Sequence, residues 1–197
     1  MTVTKTYTVN VYRNEEDKLK NLTPLEAEDI DFENSGDVIL VMIDEYPRVS
    51  SSVFEELKNY SEKTIIFQGN DYSLEFKASD LERAIPQREI YDFRMSFTSP
   101  DEDIIYDHIW DYSRNDDIDN RIVMLYFEQH TSLPGPATLH VSLGSRYDND
   151  TLYWHYYNQE RDRIDYYGSL QSNSKGNIAV RIDHFSTYLI SPKHRIA

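Results

Sequence analysis

The 197-residue sequence contains no cysteine, and this absence removes disulfides, thiolate metal sites and cysteine nucleophiles together. It suits a secreted protein of a Gram-positive bacterium, where a free thiol is a liability. Positive charge is scarce as well: 20 Lys and Arg stand against 35 Asp and Glu, for a formal charge of -15 at pH 7. A surface of that sign repels phosphate backbones and anionic lipid, so nucleic acid is not an expected partner. No stretch approaches the roughly 18 apolar residues of a membrane-spanning helix, and no membrane span is expected. The opening "MTVTKTYTVNVYR" alternates like a strand and lacks the apolar core of a signal peptide. In a secreted protein it would mark an excised domain with an added Met1. The G-x-S-x-G elbow, the P-loop and the dinucleotide fingerprint are missing too. His130 and His140 lack a partner of the H-E-x-x-H kind and read as turn and sheet surface. A conventional enzyme is not expected.

Aromatic rings are plentiful: 16 Tyr, 8 Phe and 2 Trp. They bury large areas while the tyrosines keep a polar tip, and a chain of this length can bury roughly 70% of its unfolded surface. Much of the chain alternates with period two. "TYTVNVY" places Tyr7, Val9 and Val11 on one face, whereas "VILVMI" is a continuous apolar run, expected to be a strand covered on both faces or a short buried segment. The charged segment between them reads as a long loop or helical turn near Pro24 to Ala27, too polar for the core. "KTIIFQGNDYSLEFK" reads as a hairpin around Gly69-Asn70-Asp71, and "IYDFRMSFTS" as one more strand with Tyr91, Phe93, Met95 and Phe97 on one face. Six further runs, from "IVMLYFEQ" to "STYLIS", recur at about ten-residue spacing with turn chemistry between them, "TSLPGP" included.

Two stretches break the strand pattern. Ser52 with Glu55 has capping-box spacing ahead of Val53, Phe54 and Leu57, which predicts a helix near Ser51 to Asn59. Ser99 and Pro100, followed by acids and then Ile105, Ile109 and Tyr112, predict a second near Asp101 to Tyr112. The expected fold is mainly β, an antiparallel Greek-key-like sandwich with two short helices. With no Gly/Ser/Pro-rich linker the chain reads as a single domain, 1–197: an N-terminal arm over 1–48, a helix-plus-hairpin lobe over 49–99, and a helix-plus-multistrand lobe over 100–191.

The runs "SSVFEELK", "KTIIF", "YSLEF", "LPGPATLHVSLG", "LYWHYYN" and "HFSTYLI" occur in an order that resembles an uncharacterised β-sandwich module of secreted and cell-surface multidomain proteins of clostridia and other gut bacteria. The resemblance covers about residues 49–191. It implies an extracellular or cell-surface location, neighbouring modules or surface proteins as partners, and a non-catalytic structural or interaction role. It brings no established activity.

Three constellations carry possible chemistry. The tripeptide His184-Phe185-Ser186 resembles the cleavage motif of autoproteolytic β-domains such as the GAIN domain of adhesion receptors. There Ser186 Oγ would attack the Phe185 carbonyl, with His184 moving the proton; the alternative is a closing strand with Phe185 and Leu189 buried. The hairpin "LYWHYYNQERDRIDYYGS" places Leu152, Trp154 and Tyr156 on one face and Tyr153, His155 and Tyr157 on the other, only one of which can be core. The outward set, with Tyr166 or Tyr167 across the hairpin and Asp148, Asn158 and Asp165 nearby, could stack on the sugar rings of a polysaccharide; the alternative is that these cross-strand aromatic pairs only stabilise the sheet. Finally, Asn115, Asp117 and Asp119 in one loop and Asp148 and Asp150 in another read as solvated loops, with a loose calcium site as the alternative; the EF-hand template fails at Asn120 and Tyr126. No other cofactor is implied. Asp101, Asp103 and Asp107 belong to a helix start rather than to a carboxylate pair.

Overall fold

Alternating β-branched and aromatic residues fit a half-buried pleated surface, and they make this chain mainly β, with several sheets and, among the described residues, two short α-helices, in keeping with a β-sandwich. The computed structural model describes residues 7–8, 23–81, 85, 90–109 and 122–192. The chain divides into two compact units that interleave in sequence. The first comprises Met1–Arg94, Thr131–His140 and Arg181–Phe185, and the second Met95–His130, Val141–Val180 and Ser186–Ala197.

In the first unit, strand β1 (Tyr7–Thr8) pairs in parallel with β2 (Val38–Met42), and β2 in parallel with β4 (Thr64–Gln68). β4 turns through residues 69–71 into antiparallel β5 (Tyr72–Lys77), the hairpin expected there. Val9 and Val11 lie outside the described residues. Parallel neighbours need a crossover, and between β2 and β4 the chain carries β3 (Arg48–Ser50) and helix α1 (Ser51–Leu57). The helix cap is Ser50, whose Oγ accepts from the Ser52 backbone N–H, two residues earlier than the Ser52/Glu55 spacing suggests. Its apolar stripe is as read: Val53, Phe54 and Leu57 are buried. The Phe54 ring lies 5.0 to 6.1 Å from those of Phe67, Phe76, Tyr91 and Phe93.

Four details differ from the sequence pattern. The "VILVM" run is half-buried rather than enclosed: Ile39 and Val41 face inward while Met42 is exposed. The polar segment before it contributes Leu25, Ile30 and Phe32 to the core. Their irregular spacing matches no period, yet Leu25 bridges to Val49 and Glu26 accepts from Ser52 Oγ at 2.7 Å. The "IYDFRMSFTS" stretch is two strands: β6 (Ile90–Asp92) pairs with β3, and β7 (Met95–Ser96) begins the second unit, leaving Phe97 exposed. Last, β9 (Ser132–Ser142) runs straight through Leu133-Pro134-Gly135-Pro136, which the sequence marks as a separator. Gly135 is required there, since a Cβ would meet Asp80 O and Leu81 Cα at 2.9 Å. β9 lies between β5 and β12 (Asn177–His184) in the six-stranded sheet, and both β9 and β12 are divided between the units.

The second unit is built on the five-stranded order β11-β10-β13-β8-β7, with β8 (Val123–Phe127), β10 (Thr151–Asn158), β11 (Arg163–Gln171) and β13 (Thr187–Ser191). All five residues of β13 are buried, so this central strand is covered on both faces. One face packs Met124, Tyr157 and Leu189 against Ile105 and Ile109, brought by α2 (Glu102–Asp107) and the turn after it. The other stacks Trp154 on Tyr188 with centroids 4.5 Å apart. Ser99 Oγ accepts from the Asp101 N–H just ahead of the helix, but the cap position is Asp101, without a side-chain cap bond, so Ser99 is not the cap and Pro100 lies before the first turn; α2 ends at Asp107, and Trp110 and Tyr112 lie outside the described residues.

Candidate functional site

Two long antiparallel strands, β10 and β11, project the aromatic hairpin, and their register decides which ring faces where. Tyr156 stands opposite Asp165 and Asn158 opposite Arg163, but Trp154 stands opposite Gly168 and His155 opposite Tyr166, so Tyr167 is an extra residue on β11. Consecutive strand residues point to opposite faces, and the bulge adds Tyr167 without a cross-strand partner of its own. Tyr166 lies against His155, with ring centroids 5.5 Å apart, and Tyr167 against Tyr156, at 5.7 Å.

This geometry corrects the expected platform. Only one face of β10 was expected to be core, yet the central position of β13 buries residues on both: Leu152 and Trp154 on one side, His155 and Tyr157 on the other. Trp154 is 1% exposed and Tyr157 6%, so neither can meet a ligand at the surface. Tyr153 is half-buried between Ser169 and Ser191. Tyr166 and Tyr167, about half exposed, occupy opposite faces and cannot share one platform. What remains together on the outer face is Tyr156, Tyr167, Asn158, Asp165 and Arg163. Asn158 Nδ2 donates to Tyr156 Oη at 2.7 Å and to Asp165 Oδ2 at 3.2 Å, while Arg163 Nε donates to Asp165 Oδ1 at 2.7 Å. Gly168, beside Tyr167, has open space where a side chain would be. The arrangement can present an aromatic ring next to amide and carboxylate groups already held in place.

The hairpin turn carries a second arrangement that the sequence reading missed. Asp162 adopts φ 47°, a left-handed conformation that Asp tolerates better than most residues. Its Oδ1 accepts from the Tyr157 hydroxyl at 2.6 Å and lies 3.0 Å from His108 Nε2. The bond to Asp162, then burial, then the negative charges of Asp162 and Asp101 push the Tyr157 hydroxyl up to about 12. The same bond, with help from His108, holds the Asp162 carboxyl below its usual range. The only sequence signal was an Asp in a polar turn, and its partner His108 lies 54 residues away.

The remaining candidates are dispersed. Phe185 is buried and its N–H donates to Thr131 O at 2.7 Å, and Ser186 is 7% exposed. His184 Nδ1 lies 2.7 Å from Asp183 Oδ1. Among the described residues no peptide bond is cis, and Phe185 and Ser186 are not among the non-glycine residues with positive φ. Asp117 and Asp119 lie outside the described residues. Asp148 is exposed, and the Asp150 N–H is bonded to Ser172 Oγ at 2.8 Å. Among the described residues no group of three or more His, Asp or Glu is placed to hold a metal ion. No described helix is long and apolar enough to cross a membrane. No family model, curated protein or solved structure matches the chain.

Proposed function

We propose that the chain is a non-catalytic interaction module of a secreted or cell-surface bacterial protein, and that it meets a polysaccharide on the outer face of β10 and β11. The observation that supports this is the half-exposed Tyr167 ring beside open space at Gly168, next to Tyr156, Asn158 and Asp165 already held by mutual hydrogen bonds. A sugar ring stacks on an aromatic face through its apolar C–H surface and offers hydroxyls to adjacent amides and carboxylates. Groups fixed beforehand lose little entropy on binding. The extracellular setting rests on the cysteine-free composition and the sequence resemblance.

Affinity electrophoresis against a panel of host and plant polysaccharides tests this reading. Retardation of the wild type by at least one of them, weakened about fivefold in Tyr167→Ala, is the expected result, since one aromatic contact is worth about 1 kcal/mol. Unretarded migration through every polysaccharide would remove it. Trp154 fluorescence is the wrong reporter, because that ring is enclosed.

A further inference from the structure

On the outer face of β10 and β11 the groups are tied one to the next, and the direction of each hydrogen bond decides what they can still offer a ligand. The Tyr167 ring lies 5.7 Å from that of Tyr156. Asn158 Nδ2 donates to Tyr156 Oη and to Asp165 Oδ2, while Asn158 Oδ1 accepts from the Arg161 backbone N–H at 3.1 Å. Both amide hydrogens are therefore committed, and the bond to Oδ1 fixes which end of the amide faces Asp165. Asn158 is a brace between the ring and the carboxylate.

Arg163 and Asp165 stand opposite Asn158 and Tyr156, two apart on β11 and hence on one face. They form an ion pair with Nε 2.7 Å from Oδ1, on side chains that are 54% and 23% exposed. With Nε turned to the carboxylate, the planar guanidinium still presents the edge formed by its two terminal nitrogens, which can only donate. Each Asp165 oxygen holds one bond, from Arg163 or from Asn158, and keeps a second acceptor position. A braced donor and a braced acceptor thus lie side by side at the surface.

Resting on the reading of this face as a polysaccharide surface, we propose that the Arg163–Asp165 pair selects neutral sugar units carrying two adjacent free hydroxyls. A hydroxyl both donates and accepts. One hydroxyl of the diol accepts from a terminal nitrogen of Arg163 and its neighbour donates to Asp165, so the diol engages both members of the pair. A lone hydroxyl engages one member only. Strand rise sets Tyr167 roughly 7 Å from Asp165, so the ring stacks on one part of the glycan while the pair holds the hydroxyls of another. An acidic sugar is disfavoured, because its carboxylate would approach Asp165 on a chain of formal charge -15.

The test is affinity electrophoresis of the full chain through neutral and uronate-bearing polysaccharides, each used intact and after periodate oxidation with borohydride reduction, which opens vicinal diols and spares isolated hydroxyls. Wild type should bind an intact neutral polymer about tenfold more tightly than the oxidised one, with little change between low and high ionic strength. Arg163→Gln should bind the intact polymer about tenfold more weakly than wild type and lose the distinction from the oxidised form, while melting as wild type does, since an exposed ion pair adds little to stability. Equal retardation by intact and oxidised polymer, a distinction that survives Arg163→Gln, stronger binding of uronate polymers, or retardation confined to polymers without vicinal diols would each overturn the assignment. In those cases a loss of binding in Tyr167→Ala would leave the reading of the face itself standing. Retardation by no polysaccharide would remove both.

Discussion

The rings of the first unit and those of the hairpin in the second are used in opposite ways. Phe54, Phe67, Phe76, Tyr91 and Phe93 are each fully buried, and their contacts are edge-on, tilted or stacked ring against ring. In the hairpin only Trp154 continues that habit, stacked on Tyr188; beyond it Tyr156 and Tyr157 bond through their hydroxyls to Asn158 and Asp162, and Tyr167 faces solvent. Phenylalanine has nothing to satisfy and can be enclosed on every side, whereas tyrosine brings a hydroxyl that needs a partner or water. Rings therefore hold the first unit together, while in the hairpin they also organise polar groups at a surface.

Truncating the hub of the first cluster should have the largest effect. Phe54→Ala leaves a cavity among four rings, and chemical denaturation should show a loss of about 3 to 5 kcal/mol. A loss no greater than that of a surface substitution would mean that the cluster does not hold the unit.

A smaller, pH-selective effect is expected at Tyr157. Its folded-state value, raised from 10.0 to about 12, means that the stabilisation from the protonated hydroxyl is fully present below about pH 10 and is lost as pH rises toward 12. Tyr157→Phe should flatten that alkaline limb in melting curves taken across the range. At the acid end the sign reverses: Asp162 is held below 3.8, so its contribution is present above that value and fades as pH falls through the lowered one. Asp162→Asn should remove it. An alkaline limb identical in wild type and Tyr157→Phe would show that the Asp162 bond does not form in solution.

The least effect on folding belongs to the exposed ring. Tyr167→Ala should change stability by no more than about 0.5 kcal/mol, measured by denaturant titration, even as it weakens polysaccharide binding. A loss comparable to that of Phe54→Ala would place Tyr167 with the structural rings and take away its role as a presented surface.

Much of the architecture was legible because periodicity reports burial directly. The stripe Val53, Phe54, Leu57, the β4–β5 hairpin and the strand-rich C-terminal half follow from local pattern, and so does the mainly β class. The hairpin was legible as two strands but not as a surface. A period of two assigns Trp154 and Tyr156 to one face, yet cannot say that a central β13 would bury Trp154 while the same face opens to solvent toward the turn. Nor can it register the bulge at Tyr167, which shifts the pairing so that His155 stands opposite Tyr166 while Trp154 stands opposite Gly168. Leu25, Ile30 and Phe32 were missed for the converse reason: they are anchored one at a time within a charged segment, and no repeat marks them.

The sequence by itself determined the composition-level facts: a cysteine-free, strongly acidic chain whose alternating aromatic and β-branched runs must form sheets, because only a pleated surface puts every second residue in the core. Tertiary structure alone decided which tyrosines are structural and which are presented, and that Asp162 meets His108 and Asp101 meets Gln159 across 54 and 58 residues. Those meetings depend on strand order and register, which arise from pairing between distant segments and leave no trace in the local pattern of either partner.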